Sequence, residues 1–189
     1  RNQKAHGGGM VLDWGIHLLD QALRIGEGRK LISVYAELTN VTNEECDDGF
    51  RVTLIFEGDL SMYVEVTTSN FIELPRWYIL GENGSAVIND WDLNGEIVKV
   101  SDWENRDAVP ILAGVGLTKT MAPRTDDTIK RYPLPKVDSS WTQFYENVFA
   151  ALRGEEEQLI THDQQRRLLK LVDAIFESGN ENKVVFFDK

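Results

Sequence analysis

The chain has 189 residues, 42% of them hydrophobic, which suits one substantial core or two small ones. Asp and Glu number 31 against 20 Lys and Arg, and the formal net charge of -11 leaves no concentrated basic surface for a nucleic-acid backbone. No apolar run approaches the roughly 18 residues of a membrane span and no secretory leader pattern is present, so a cytoplasmic protein without a membrane partner is expected.

The first predicted element is a helix from about Gly9 to Ile25. Leu12, Ile16, Leu19 and Leu23 form an apolar stripe that Val11, Leu18 and Ala22 broaden, and Gly26-Glu27-Gly28 is the expected stop. A strand-rich region follows. In KLISVYAELTNV, Ile32, Val34, Ala36 and Leu38 alternate with polar or aromatic neighbours. Cys46 is the lone cysteine, among Glu44, Glu45, Asp47 and Asp48. It has no internal disulfide partner, and the surrounding negative charge disfavours its thiolate, so a buried or incidental thiol is expected.

FRVTLIFEGDLSMYVEV reads as a hairpin with Phe50, Val52, Leu54 and Phe56 on one face, a turn at Gly58-Asp59, and Met62, Val64 and Val66 returning. A second hairpin is expected around Glu82-Asn83-Gly84, where Asn-Gly suits positive φ, and a third turn at Asn94-Gly95. This succession predicts an antiparallel meander rather than βαβ units. Tyr35, Ile55 and Tyr63 fall opposite the hairpin's main apolar set. They read either as an interface for another subunit or domain or as scattered surface hydrophobes.

Periodicity is interrupted over 102 to 140 by Pro110, Pro123, Pro133 and Pro135 and by Gly114-Val115-Gly116. This stretch is expected to be a long excursion with one short strand or helix, serving as a substrate-side cover or an oligomer arm. A wholly structureless loop of that length is improbable in a compact domain. Helical pattern resumes at WTQFYENVFAALRG, with Trp141, Phe144 or Tyr145, Val148 and Leu152 as its stripe and Gly154 as its stop. After an acidic linker, Thr161 and Gln164 predict a capping box. Leu168, Val172, Ile175 and Phe176 are expected to face inward, Gly179 to end the helix, and Val184 to Phe187 to return as a last strand.

The chemistry concentrates in GGGMVLDWGIHLLD. Glycines before a helix permit close backbone approach, and the amides at a helix start favour a negative or hydroxyl-rich ligand. Three glycines without a preceding strand are not a dinucleotide fingerprint. Asp13 and His17 are four apart and share a helical face, where an imidazole can exchange a proton and a carboxylate can orient it or bind a hydroxyl. Asp20, one turn on, could fix the second ring nitrogen of His17. On residue types alone the alternatives remain open: Asp13 satisfying the helix start, His17 as a hydrogen-bonded core residue, Asp20 facing solvent. Asp13, His17 and Asp20 have no diagnostic zinc spacing, so no metal is expected.

This segment resembles the GG(G)xxxDxGxHxxD pattern of the Gfo/Idh/MocA oxidoreductases, the glucose–fructose oxidoreductase and inositol dehydrogenase family. RWYILGENGSAVI and FYENVFAALRGEEEQLITHDQQRRLLKLVDAIFESGNENKVVFF extend the resemblance over nearly the whole chain except 102 to 140. It implies an α+β fold: a large, predominantly antiparallel open sheet with helices on one face, like the C-terminal domain of dihydrodipicolinate reductase. The whole chain, 1 to 189, would be the substrate and oligomerisation domain.

By the same resemblance, His17 corresponds to the family's acid/base histidine and Asp13 to its active-site aspartate. Gly8 and Gly9 would bring the helix start near the substrate, and Trp14 and Asp20 would lie on the substrate side, although a core or interdomain role suits Trp14 as well. The substrate implied is a sugar, cyclitol or other polyol, oxidised with NAD or NADP. The Rossmann glycine motif and the Glu-Lys-Pro segment that supplies a catalytic lysine are absent. Both are expected upstream of Arg1 in an intact protein, and Lys4 does not replace that lysine. The chain alone is therefore expected to fold without dehydrogenase turnover or tight cofactor binding. Its partners would be the N-terminal Rossmann domain, the polyol and a second copy at the open sheet face. A noncatalytic sugar-binding or regulatory domain is the alternative.

Overall fold

The computed structural model describes residues 3–104, 111–112, 114–115, 117–118 and 124–187. The chain divides into two compact units, Arg1–Phe71 with Trp141–Lys189, and Ile72–Ser140. Among the described residues no helix is long and apolar enough to cross a membrane.

The first unit is built on a four-stranded antiparallel sheet in the order β10-β1-β2-β3. Its strands are β1 (Leu31–Thr39), β2 (Gly49–Phe56), β3 (Ser61–Thr67) and β10 (Val185–Phe186). The β2–β3 hairpin turns at Gly58 and Asp59, both with positive φ. Phe50, Val52, Leu54 and Phe56 are buried on its inner face, as alternation requires. β1 departs from simple alternation. Leu31 pairs with Phe56 but Ser33 with Ile55, a bulge that takes one extra residue on β1. Leu31 is therefore buried and Ile32 exposed, the reverse of the expectation for Ile32.

The inner face is covered by α1 (Ile16–Ile25), preceded by a π-helical turn over Val11–Gly15, and by α3 (His162–Glu181). Val11, Leu19, Ala22 and Leu23 meet Leu168, Leu171, Val172 and Ile175 over the sheet residues in one core. The π turn shifts the stripe, because it takes an additional residue per turn. Val11 and Gly15 are buried while Leu12 is exposed. At α3 the capping box forms: Gln164 N donates to Thr161 Oγ1 at 3.2 Å and Thr161 N donates to Gln164 Oε1 at 2.9 Å. The helix does not stop at Gly179. It continues to Glu181 and ends at Asn182, whose φ is 50°. Gly179 lies where α3 presses on β1, since a Cβ there would stand 2.9 Å from Leu38 Cδ1.

Ser178, fully buried, joins the same elements. Its hydroxyl accepts from Ala36 N at 2.8 Å and donates to Lys183 O at 2.6 Å. β10 pairs only with Ser33 and Val34, so the serine satisfies the β1 amide next in line. α2 (Thr142–Leu152) reverses the expected facing. Asn147 and Ala150 are its buried residues, while Trp141, Phe144, Tyr145 and Leu152 are exposed. The buried Asn147 is satisfied by the acidic linker: its side chain donates to Glu157 O at 2.9 Å and accepts from Leu159 N at 3.0 Å.

The second unit carries a four-stranded antiparallel sheet ordered β4-β5-β6-β9, from β4 (Trp77–Gly81), β5 (Gly84–Ile88), β6 (Gly95–Val100) and β9 (Ile129–Pro133). A two-stranded pair, β7 (Ile111–Leu112) with β8 (Leu117–Thr118), lies between β6 and β9 in sequence. The α+β class and the antiparallel pairing agree with expectation, but the strands form two four-stranded ladders rather than one large sheet. The break follows β3: Thr68 turns back, its N and Oγ1 both donating to Asp48 O, and Pro75 lies in the link before β4. The 102 to 140 stretch is more regular than an excursion, because it returns as β9. Pro133 is tolerated there at the end of an edge strand. Pro110, Gly116 and Pro123 lie outside the described residues. At the Glu82-Asn83 turn neither Asn83 nor Gly84 takes positive φ; Gly84 instead approaches the Val98 carbonyl too closely for a Cβ.

Candidate active site

The opening segment of the first unit is a glycine-rich turn that runs into the π turn. Gly9 has φ +118° and is buried. Asp13 N donates to Gly9 O at 3.0 Å and Gly15 N to Met10 O at 2.7 Å, the second closing the wider π ring. Gly15 is a point of close approach to the sheet. A Cβ there would lie 2.8 Å from Phe50 Cε1 and 2.9 Å from Phe50 Cζ. Any side chain would therefore lift the helix from β2.

Asp13 sits within the π turn and is half-buried, whereas His17 lies in the first turn of α1 and is exposed. Trp14 is 44% exposed, consistent with a helical direction different from that of its neighbour Asp13. Asp20 has a partner of its own kind of distance: its carboxylate forms an i,i+4 ion pair with Arg24 at 3.5 Å. That pairing offers a reason for Asp20 other than fixing the ring of His17. Gly8 is half-buried beside Gly9, at the start of the segment.

The helix start is not an open anion site. Met10 N donates to Asp47 O at 3.0 Å and Val11 N donates to Asp47 Oδ2 at 2.8 Å. A buried carboxylate of this chain thus occupies the position that a ligand anion would otherwise take. Asp48, also buried, organises the loop that presents it. Thr42 donates to Asp48 Oδ2 through both N and Oγ1, the hydroxyl at 2.9 Å. The amides of Thr42 and Val41 hold the Asp48 carboxyl down at about 2, below the ordinary aspartate range. Sequence reasoning weighed Asp47 and Asp48 only as neighbours of Cys46. An acidic pair entering a buried strand was the available signal, but the partner of Asp47 lies 36 residues away.

Every strand pairing among the described residues is antiparallel, so no βαβ unit offers a Gly-rich turn to a pyrophosphate. Among the described residues no group of three His, Cys, Asp or Glu is placed to hold a metal ion.

Residues 1–87 match the family described as GFO/IDH/MocA C-terminal domain. That stretch, which carries the helix bearing Asp13 and His17, is thus similar to the Gfo/Idh/MocA C-terminal domain. A crystal structure of an NAD-binding protein from Listeria innocua is similar to the chain, with 42% identity and a TM-score of 0.90 over 98% of this chain and 53% of that one. The scyllo-inositol 2-dehydrogenase (NADP(+)) IolW of Bacillus subtilis is 21% identical over 100% of this chain and 52% of its own length. The WlbA dehydrogenase of Bordetella pertussis, in complex with NADH and UDP-GlcNAcA, shares the fold. It has a TM-score of 0.61 at 19% identity, covering 96% of this chain and 46% of that one. The chain thus spans about half the length of these relatives.

Proposed function

We propose that the chain is the substrate domain of an NAD(P)-dependent oxidoreductase acting on a cyclitol, sugar or related polyol. The observation that carries this reading is the placement of Asp13 and His17 on successive turns of one helix, with the imidazole exposed at its surface. An exposed imidazole four residues from a carboxylate can take a hydroxyl proton while the carboxylate orients the hydroxyl or the ring. Oxidation of a secondary alcohol needs that proton removed as hydride leaves the same carbon. His17 is assigned the proton and Asp13 the orientation, with Gly8 and Trp14 on the substrate side, while the space at Gly9 is taken by Asp47 and not by the substrate. The hydride acceptor, NAD or NADP, belongs to another domain of the intact protein.

The relatives support the substrate class to a limited depth: one is named for oxidising an inositol. A neutral polyol also suits a helix start whose amides are held by Asp47 rather than left for an anion. The test is nicotinamide reduction by the intact protein across a panel of cyclitols and sugars. His17→Ala should lower kcat/KM for the best substrate by at least about 100-fold, the usual scale of general-base loss. Unchanged kcat/KM would remove His17 from the acid/base role.

The partner surface proposed is the outer face of the first sheet. Tyr35, Ile55, Tyr63 and Phe186 lie on it around an Arg51–Glu65 ion pair of 3.0 Å. Tyr63 is 60% and Phe186 70% exposed, which suits burial against a second copy.

A further inference from the structure

We propose that Asp47 is a positioning residue that latches the catalytic helix to the sheet. The inference rests on the assignment of Asp13 and His17 made above and deepens it. Asp47 approaches the helix start from the loop between β1 and β2, and only 8% of the residue is exposed. It makes two bonds of different kinds: its carbonyl accepts from Met10 N at 3.0 Å and its Oδ2 accepts from Val11 N at 2.8 Å. The charge-assisted bond at a helix start is the stronger kind, and it leaves the buried Val11 amide satisfied.

The sequence around the helix is shaped to receive this carboxylate. A Cβ on Gly9 would collide with Asp47 Oδ1 and stand 2.9 Å from its Cγ. With φ +118° as well, position 9 excludes other residues both by conformation and by the presence of Asp47. The atoms that Asp47 holds lead directly into the π turn. Met10, whose N–H it binds, accepts from Gly15 N, and Asp13 lies between them. Val11, whose N–H the carboxylate binds, opens the π turn, so a shift there when the side-chain bond is lost is transmitted to the backbone that carries Asp13 and then His17.

The latch is mounted rigidly on its own side. Asp48 N donates to Thr39 O at 2.9 Å at the end of β1, and Asp48 O accepts from Thr68 N and Thr68 Oγ1 just beyond β3. Asp48 Oδ2 closes the loop on Thr42. Asp48 anchors the loop, and Asp47 fixes the helix start relative to it. The pair of acids divides the work between scaffold and site.

The test compares the intact wild-type protein with Asp47→Ala, Asp47→Asn and His17→Ala. Asparagine keeps an oxygen acceptor for Val11 N, and alanine keeps none. Amide hydrogen exchange over Val11–Gly15 should be about tenfold faster or more in D47A and near wild type in D47N. kcat should fall about 100-fold in D47A with KM little changed, as for a displacement of about 1 Å, and D47N should recover most of it. If D47A fails to fold, Asp47→Ser carries the same expectation, since its hydroxyl is one bond too short to reach Val11 N as the carboxylate does. Unchanged exchange over Val11–Gly15 in D47A would overturn the latch whatever the substrate. Faster exchange with wild-type kcat, while His17→Ala is inactive, would overturn the positioning role and leave the function reading standing. If His17→Ala keeps full turnover, the function reading fails and the positioning role falls with it; the exchange data then show whether the latch itself exists.

Discussion

Replacing Gly15 by alanine sets two magnitudes against each other. In an ordinary helix interior the change stabilises by about 1 kcal/mol, because alanine has the better propensity. Here the new Cβ would stand 2.8 and 2.9 Å from two ring carbons of Phe50 and 3.0 Å from Met10 O. Carbon–carbon contacts rest at about 3.5–4.0 Å, so the helix or the ring must give by roughly 0.7–1 Å. Phe50 is 1% exposed and lies in the core beneath the helix, which leaves little room for the ring to move. Overpacking of that size costs about 1–3 kcal/mol, so the net effect is a destabilisation of up to about 2 kcal/mol. The functional cost should be larger. A helix lifted by about 1 Å displaces Asp13 and His17 together, a scale of misplacement associated with about a 100-fold loss of rate.

Urea denaturation of the chain would measure the first effect, and kcat/KM of the intact protein the second. The companion variant Phe50→Leu removes the colliding ring atoms. Gly15→Ala with Phe50→Leu should cost less than the sum of the single changes, with a coupling of about 1 kcal/mol or more. A Gly15→Ala protein with a raised urea midpoint and wild-type kcat/KM would refute the reasoning, since propensity would then have prevailed over contact.

Ser178→Ala should lose about 2 kcal/mol, because it leaves the buried Ala36 amide without its acceptor; thermal melting should fall by about 4–8 °C, and a change below about 1 °C would contradict that account. Asp48 carries a carboxyl held at about 2, so its stabilisation is fully present above the ordinary aspartate range and is lost as pH falls from about 4 towards 2. Denaturation midpoints measured through that window should drop in the wild type and less steeply in Asp48→Asn; equal slopes would count against Asp48 as the anchor. Light scattering of the intact protein should show self-association that Tyr63→Lys weakens, whereas a monomer at all concentrations would remove the proposed partner surface.

Much of the fold was legible because local signals and burial agreed. Phe50, Val52, Leu54 and Phe56 alternate and are buried together, and Gly58-Asp59 supplies the positive φ that its turn requires. Thr161 and Gln164 form their box because both partners lie within one turn. The Asp13–His17 spacing was legible for the same reason: helical geometry relates residues four apart without reference to the rest of the chain.

What lay beyond reach were choices made between distant segments. Ile32 points outward because β1 bulges against β2, and alternation alone cannot locate a bulge. α2 exposes its aromatic stripe and buries Asn147, whose partners lie in the linker that follows it. Gly179 stands inside α3 because Leu38 of β1 leaves no room for a Cβ there, where composition alone suggests a stop. Asp47 matters for the same reason, since only folding brings residue 47 to the amide of residue 11. The sequence by itself determined the main helices and the antiparallel hairpins, set by short-range backbone geometry and hydrophobic period, and it put Asp13 and His17 four residues apart, while the role proposed for that pair rests on the family resemblance. The tertiary structure decided how the helix bearing those side chains is held, because buried amides and carboxylates take the partners that packing brings within about 3 Å.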